Sequence, residues 1–439
     1  MNFTEANKYI NSLGHNEINP GLKRVKALCE ELGNPQSDFS VIQITGTNGK
    51  TSTARMISSI LSAHGIKTGV YTSPHLDSIT ERFEINGKLI SEELFAFSLG
   101  KIMPKINEAN ERFYPDRLSY FETVTVLAFI IFQDAGIDCA VLEVGMGGRW
   151  DATSVCNPKI SVITNVELEH TDRLGDTVSQ IAWEKAHIIK EDSVALIGEL
   201  SNESLKVVKE RCLSEKVDLR ILGKDFSFLS EDKNNFSVKG LYGCYNDLSL
   251  NLKGAYQLKN AVLAISASEI FLKKPLLIEK IKEGFNKVRC PGRLEVLSKT
   301  PLVVLDGAHN PAGAKQLASV LRDEFKYNEL ILILAILKDK DIKGIIDEIA
   351  PAASLIVLTE NRNERCASCD LLKKYIVGNR YICTKSIPEA LNLSLKNAKH
   401  SDLICVTGSL STVAEARNFL KRKLGENFEG KENGLSKYI

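Results

Sequence analysis

The stretch Ile44-Thr45-Gly46-Thr47-Asn48-Gly49-Lys50-Thr51-Ser52 decides how the rest of this chain is read. It follows a short β-branched run, Val41 to Ile44, and precedes Met56, Ile57, Ile60 and Leu61, whose spacing makes one apolar helical stripe. A glycine-bearing loop that leaves a strand and enters a helix points backbone N–H groups at a phosphate chain, and the helix dipole favours the negative charge. Thr47, Asn48, Gly49, Lys50, Thr51 and Ser52 are therefore the expected nucleotide contacts, with Lys50 over the outer phosphates. The full phosphate-loop pattern would have its first glycine at Ile44, so the shorter G-x-x-G-K-T form is what remains. The plain alternative, a surface turn of the same composition, is disfavoured by the flanking strand and helix.

Outward from that loop, apolar β-branched runs alternate with helical patterns from Ser40 to about Leu200, the signature of a mostly parallel sheet with crossover helices. Val41–Ile44, Cys139–Val144 and Ile160–Thr164 are its clearest strands. Between Asp225 and Gly254, alternation at Leu248, Leu250 and Leu252 predicts a half-exposed antiparallel strand in a small subdomain. From Pro301 the α/β alternation resumes with Leu302–Leu305, Leu330–Leu337, Leu355–Leu358 and Leu403–Val406. Cys290-Pro291-Gly292-Arg293 is the expected hinge. The fold class is α/β, with a P-loop-type ATPase domain over residues 1–292 and a Rossmann-like domain over residues 297–439.

A chain of 439 residues exceeds what one core covers, since cores stop growing at roughly 250–300 residues. A hydrophobic fraction of 44% with 25% charged residues fits a folded soluble protein. Fifty-six basic against fifty-five acidic residues leave a net charge of +1, without the basic field that holds nucleic acid by its phosphates. Val124–Phe132 is far shorter than the ~20 residues that cross a bilayer and reads as a buried helix. Residues 1–10 lack the apolar segment of a signal peptide, so a cytoplasmic location is expected, with no membrane partner. The ten cysteines are expected as buried small hydrophobes, and the lone Cys366-x-x-Cys369 spacing specifies little by itself.

Further polar residues fall at the ends of these elements. Glu143 closes a strand before Gly145-Met146-Gly147-Gly148, His170 follows the Ile160–Thr164 strand, Ser73 follows the Thr68–Tyr71 run, and Lys185 lies in a helix. Such carboxyl-end positions are where an open α/β sheet holds ligands. Taken singly, each has a plain structural explanation, a satisfied histidine or a solvated lysine. In the second half, Asp306-Gly307-Ala308-His309-Asn310-Pro311 and Val406-Thr407-Gly408-Ser409 follow strands in the same way.

Together these motifs resemble the Mur ligase superfamily, and in particular its folate branch, the folylpolyglutamate synthase/dihydrofolate synthase family. Gly21-Leu22-Lys23-Arg24, Tyr71 to Leu76, Ser119 to Glu122, Leu142 to Gly145 and Gly148 to Thr153 carry the resemblance. So do His170-Thr171-Asp172, Glu184-Lys185-Ala186, Gln257 with Asn260, Pro291-Gly292-Arg293, Asp306 to Pro311 and Gly408-Ser409. The likeness spans essentially the whole chain. It implies ATP on magnesium, with Ser73 and Glu143 on one Mg²⁺ and Glu143, His170 and a carbamylated Lys185 around a second; a monovalent cation such as K⁺ is a further implied ligand. It also implies Asn260, Arg293 and Asp306 on the nucleotide. A folate or dihydropteroate is implied near Gly21, Leu22, Tyr120, Phe121, Glu122, Trp150, Asp151 and Ala152, and His309 and Ser409 at the glutamate and phosphate end.

The sequence departs from the family's pattern in three places. Thr51 follows Lys50 directly where a glycine usually intervenes, which leaves open whether Thr51 or Ser52 approaches the metal. Trp150 stands where leucine is usual, and Glu169 where aspartate is usual. The chemistry implied is amide formation between a carboxylate and L-glutamate through an acyl phosphate, with Lys50 and Mg²⁺ neutralising phosphoryl charge and Arg293 and His309 holding charge at the tetrahedral stage. A monomer is expected. The alternatives are a Mur-type peptide ligase acting on another carboxylate, disfavoured because so little chain precedes the loop, and an ATP-hydrolysing switch. A switch has no use for Asp306–Pro311 and Gly408-Ser409.

Overall fold

The computed structural model describes residues 1–14, 20–230 and 235–424. The chain divides into two compact units, Met1–Asn251 with Ala255–Arg289, and Leu252–Gly254 with the chain from Cys290 onward.

In the first unit, the described strands are β1 (Ser40–Thr45), β2 (Thr68–Tyr71), β3 (Phe83–Ile85), β4 (Lys88–Leu89), β5 (Cys139–Glu143), β6 (Ile160–Asn165), β7 (Val194–Glu199) and β8 (Asp218–Ile221). They lie in the order β4-β3-β2-β5-β1-β6-β7-β8. From β2 to β8 the pairing is parallel, and β3 and β4 add an antiparallel edge. The inner strands are buried on both faces, which is why they read as continuous apolar runs rather than as alternation. The chain runs outward on both sides of β1, so the crevice for a ligand opens at the carboxyl ends of β1 and its neighbours β5 and β6.

Helix Lys50–Ala63 starts at Gly49, whose φ of 84° is left-handed, and buries Met56, Ile57, Ile60 and Leu61 as the stripe predicts. Helix Tyr120–Ala135 contains the expected Val124–Phe132 run, entirely buried. Its first turn is closed by a capping box in which the Ser119 side chain accepts from the Glu122 N–H and Glu122 from the Ser119 N–H.

The small antiparallel sheet comprises β9 (Ser227–Ser230), β10 (Asn235–Lys239) and β11 (Cys244–Ser249). Here the sequence expectation needs correction. Leu250 and Leu252 lie beyond β11, and the residues that β11 buries are Tyr245 and Leu248. A register shift between Phe236 and Val238 breaks the two-residue period, so a three-residue step faces the core.

The second unit contains β12 (Glu295–Lys299), β13 (Leu302–Leu305), β14 (Leu330–Leu334), β15 (Leu355–Leu358), β16 (Tyr381–Cys383) and β17 (Leu403–Thr407), ordered β12-β13-β17-β14-β15-β16. All pairs are parallel except β12 with β13. The run expected as one strand to Leu337 ends at Leu334 and continues as buried loop. Of the edge strands, β12 is partly exposed and mixes polar with apolar residues, and β16 is a short Tyr381-Ile382-Cys383 run exposed along its length.

All ten cysteines are free. Contrary to the expectation of uniform burial, Cys244 and Cys383 are exposed and Cys369 is half-buried. Cys366 Sγ accepts from the Asn361 N–H and Cys369 Sγ donates to Thr384 O, so the two bond to different partners. Among the described residues no helix is long and apolar enough to cross a membrane.

Candidate active site

At the carboxyl edge of the first sheet the loop after β1 is shaped by two glycines. Gly46 has φ 152°, and a Cβ there would lie 1.9 Å from Thr164 Oγ1; Gly49 would meet Asn260 Oδ1 at 2.5 Å. Neither position accepts a side chain without displacing its neighbour. Lys50 folds back so that Nζ donates to Gly46 O at 2.8 Å and Thr47 O at 3.0 Å. By position, the first-turn N–H groups of this helix lack helical partners and face outward as anion donors.

Glu143, at the end of β5, is 2% exposed and accepts the Thr51 hydroxyl at 3.0 and 2.9 Å. The Ser73 N–H reaches the same carboxylate at 3.4 Å. Ser52 faces elsewhere: its hydroxyl accepts from Gln257 Nε2 at 3.3 Å, and Gln257 in turn accepts from Asn260 Nδ2 at 2.9 Å. Of the two hydroxyls left open by the sequence, Thr51 is therefore the one beside Glu143.

Lys185 is buried in helix Val178–Ala186 and donates to Gly46 O at 2.9 Å, the same carbonyl that Lys50 uses. Burial, with the nearby Lys50 charge, pushes its amine down to about 7. His170 adopts a left-handed φ of 50° at the start of a short helix, with Nε2 3.9 Å from Glu169 Oε1. Lys50, Lys185, His170, Glu169 and the Gly145–Gly147 loop line one small cavity. Glu143 with hydroxyl neighbours is an all-oxygen set suited to a hard cation such as Mg²⁺ or Mn²⁺. As an ammonium Lys185 cannot ligate a cation, so a cation beside it fits these residues only when its nitrogen carries acidic oxygens. Among the described residues no three His, Cys, Asp or Glu side chains cluster as a metal site.

The residues expected at the folate lie in the same unit. Asp151 is buried, and its carboxylate accepts from the N–H groups of Gly145, Met146 and Thr153 and from the Thr153 hydroxyl. Burial raises its pKa against those bonds. Trp150 is 48% exposed and rests on the Arg149 guanidinium at 4.7 Å, with Trp183 on the same cation at 4.5 Å. Ala152 opens the short helix that Asp151 caps. Glu122 pairs with Arg24 at 2.9 Å in a buried ion pair, Tyr120 lies under the Arg82 guanidinium, and Phe121 packs on Tyr71. Gly21 has open space where a Cβ would stand, and Leu22 precedes helix Lys23–Glu31.

In the second unit, Asp306 opens the loop after β13 and accepts from the Leu294 and Ala308 N–H groups, both at 2.9 Å. Burial raises its carboxyl while the Arg293 charge opposes that. His309 Nδ1 lies 2.8 Å from Gly307 O, and Ser409 bonds Thr412 and Asn361. The sequence reading missed Thr164 and Asn165, which bond to the backbone of the β1 loop, because only the pairing of β6 with β1 brings them there.

The Mur ligase middle domain matches residues 44–268, and the Mur ligase glutamate ligase domain matches residues 292–410. A dihydrofolate synthase/folylpolyglutamate synthase of Mycobacterium tuberculosis is 39% identical over 379 residues, 81% of this chain and 77% of the relative. The chain belongs to the folylpolyglutamate synthase/dihydrofolate synthase family of Mur ligases. Two solved structures of that family match its fold closely. Mycobacterium tuberculosis folylpolyglutamate synthase complexed with ADP has a TM-score of 0.92 at 34% identity, covering 96% of this chain and 98% of that one. The bifunctional folylpolyglutamate synthase/dihydrofolate synthase of Yersinia pestis, complexed with AMPPNP and Mn ion, has a TM-score of 0.84 at 28% identity, covering 96% and 98%. In Mur ligase terms the loop, Glu143, Lys185 and Asn260 fall in the middle domain, and Asp306, His309 and Ser409 in the glutamate ligase domain.

Proposed function

We propose that this chain is an ATP-dependent ligase that joins L-glutamate to the carboxylate of a folate or dihydropteroate through an acyl phosphate. The observation that carries the reading is the pairing of Thr51 and Glu143 at the mouth of the glycine loop, an oxygen set that suits a divalent cation beside a phosphate chain. Affiliation with the folate ligases supplies the substrate class.

A carboxylate does not condense with an amine at neutral pH until it carries a leaving group, and the γ-phosphoryl of ATP provides one. The first-turn N–H groups after Gly49 hold the phosphates, and Lys50, tethered on Gly46 O and Thr47 O, keeps its charge over the loop where phosphoryl charge develops. A divalent cation, when bound, neutralises and orients the phosphoryl oxygens. Glu143, Thr51 and Ser73 would hold it. Lys185, as a carbamate, and His170 would hold a second, and the lowered pKa of Lys185 favours the neutral amine that takes up CO₂. Asn260, Arg293 and Asp306 serve the nucleotide; Arg293 and His309 steady charge as the glutamate amine attacks, and Ser409 serves the glutamate end. Trp150 offers a flat apolar surface for the pterin, with Gly21, Leu22, Tyr120 to Glu122, Asp151 and Ala152 around it. The enzyme works in the cytoplasm as a monomer in this reading.

The test is ADP formation with dihydropteroate and tetrahydrofolate side by side, with and without L-glutamate, and with and without K⁺. Glutamate-dependent ADP release with either substrate supports the proposal. Release independent of any amino acid would turn the reading to a hydrolysing switch, and a requirement for a different acceptor to a Mur-type peptide ligase.

A further inference from the structure

We infer that Asn165 is a positioning residue that presets the phosphate loop for ATP, an inference that rests on the loop being the nucleotide site. The side chain stands at the end of β6, next to β1 in the sheet. Its Oδ1 accepts from the Thr47 N–H at 3.1 Å and from the Asn48 N–H at 2.9 Å, and its main-chain oxygen accepts from Thr47 as well, at 3.1 Å. Thr164 holds the next peptide, donating its hydroxyl to Asn48 O at 2.6 Å. One residue further out, the Thr47 hydroxyl accepts from the Glu167 N–H at 3.0 Å and donates to Glu167 O at 3.2 Å.

These bonds have a consequence for recognition. A glycine-rich loop has many backbone conformations, and fixing it on binding costs conformational entropy that a preset loop avoids. The grip on residues 47 and 48 turns their N–H groups into the protein and leaves the first-turn donors after Gly49 for the anion. It also fixes Gly46 O, on which Lys50 and Lys185 both converge. The acceptor is a carboxamide, and chemistry favours that choice. A carboxylate of the same shape would accept the same two N–H groups but would add a negative charge beside the phosphates.

The experiment uses the full chain, with ATP varied at saturating glutamate and folate substrate, and ADP affinity measured separately by titration calorimetry. Asn165→Ala is expected to raise KM for ATP about ten-fold or more through the two lost bonds and to weaken ADP binding in parallel, with KM for glutamate unchanged. Asn165→Asp retains both acceptors and so should fold as the parent does, yet its KM for ATP should also rise. Thr164→Val, which removes the hydroxyl's bonds to Asn48 O and, at 3.4 Å, to Thr45 O but leaves Asn165 in place, should show a smaller change of the same kind and carries the positioning test if the alanine variant does not fold. A purely structural asparagine would lower the active fraction, and so the apparent kcat, without moving KM. Unchanged KM and ADP affinity in the alanine variant, or in Thr164→Val should that variant alone fold, would overturn the inference, as would wild-type KM in Asn165→Asp. Absence of glutamate-dependent ADP release from the parent chain would instead overturn the functional reading.

Discussion

Lys50 and Lys185 donate to one carbonyl, that of Gly46, and the proposed function gives the two side chains different work there. In the proposed mechanism Lys50 meets charge that exists mainly in phosphoryl transfer, so Lys50→Ala should lower kcat by about 10²–10³ while circular dichroism stays that of the parent. Lys185 releases its proton near pH 7 in the folded chain but near 10.5 when unfolded. In that window the unfolded chain binds the extra proton, so in CO₂-free buffer the Lys185 contribution makes stability rise with pH from about 7 to 10.5. Uptake of CO₂ needs the neutral amine, so carbamate and activity should both fall as pH drops below about 7, read by ADP release against pH. Lys185→Ala should be inactive and partly rescued by small carboxylates; full activity in that variant would return the lysine to a structural role. At Trp150 the half-exposed indole on Arg149 argues for contact with a planar substrate. Trp150→Leu should therefore shift the ratio of kcat/KM between dihydropteroate and tetrahydrofolate, and an unchanged ratio would make the stack purely structural.

The segment from Gly145 to Thr153 is an irregular connection whose shape depends on one carboxylate. Asp151 satisfies four donors, and removing it takes the acceptor from the half-buried N–H groups of Gly145 and Met146 and from the buried N–H and hydroxyl of Thr153. Asp151→Ala should cost about 3 kcal/mol or more of stability, measured by urea unfolding, in addition to any effect on substrate. A residue that merely touched substrate would move stability by no more than ~0.5 kcal/mol. Elements of this kind divide what sequence reading reaches from what it does not. The stripe Met56, Ile57, Ile60, Leu61 and the run Val124–Phe132 were legible because helix burial repeats within one segment. The β11 pattern was misread because a register shift against β10 changes which residues face inward, and that depends on the partner strand. The four bonds that Asp151 accepts were not legible in the sequence, because they are set by the folded loop.

At the scale of the whole molecule, a ligand that binds only the folded chain stabilises it by mass action. ADP with Mg²⁺ at a hundred-fold excess over its dissociation constant should add about 2.7 kcal/mol, seen as a raised thermal midpoint, and Lys50→Ala should shrink that shift. An equal shift in parent and variant would place the nucleotide away from the loop. The amino-acid sequence by itself determined the two α/β halves, the glycine loop with Lys50, and the acids and histidine at strand ends, because each is written in contiguous residues with a local period or spacing. It also carried the family, through motifs in order along the chain. Only the tertiary structure decided that Thr51 rather than Ser52 meets Glu143, that Lys185 shares Gly46 O with Lys50, and that Asn165 holds the loop. Those facts join residues about ninety to one hundred and forty positions apart, and they arise from the order of strands β5, β1 and β6 in the sheet, which no local pattern encodes.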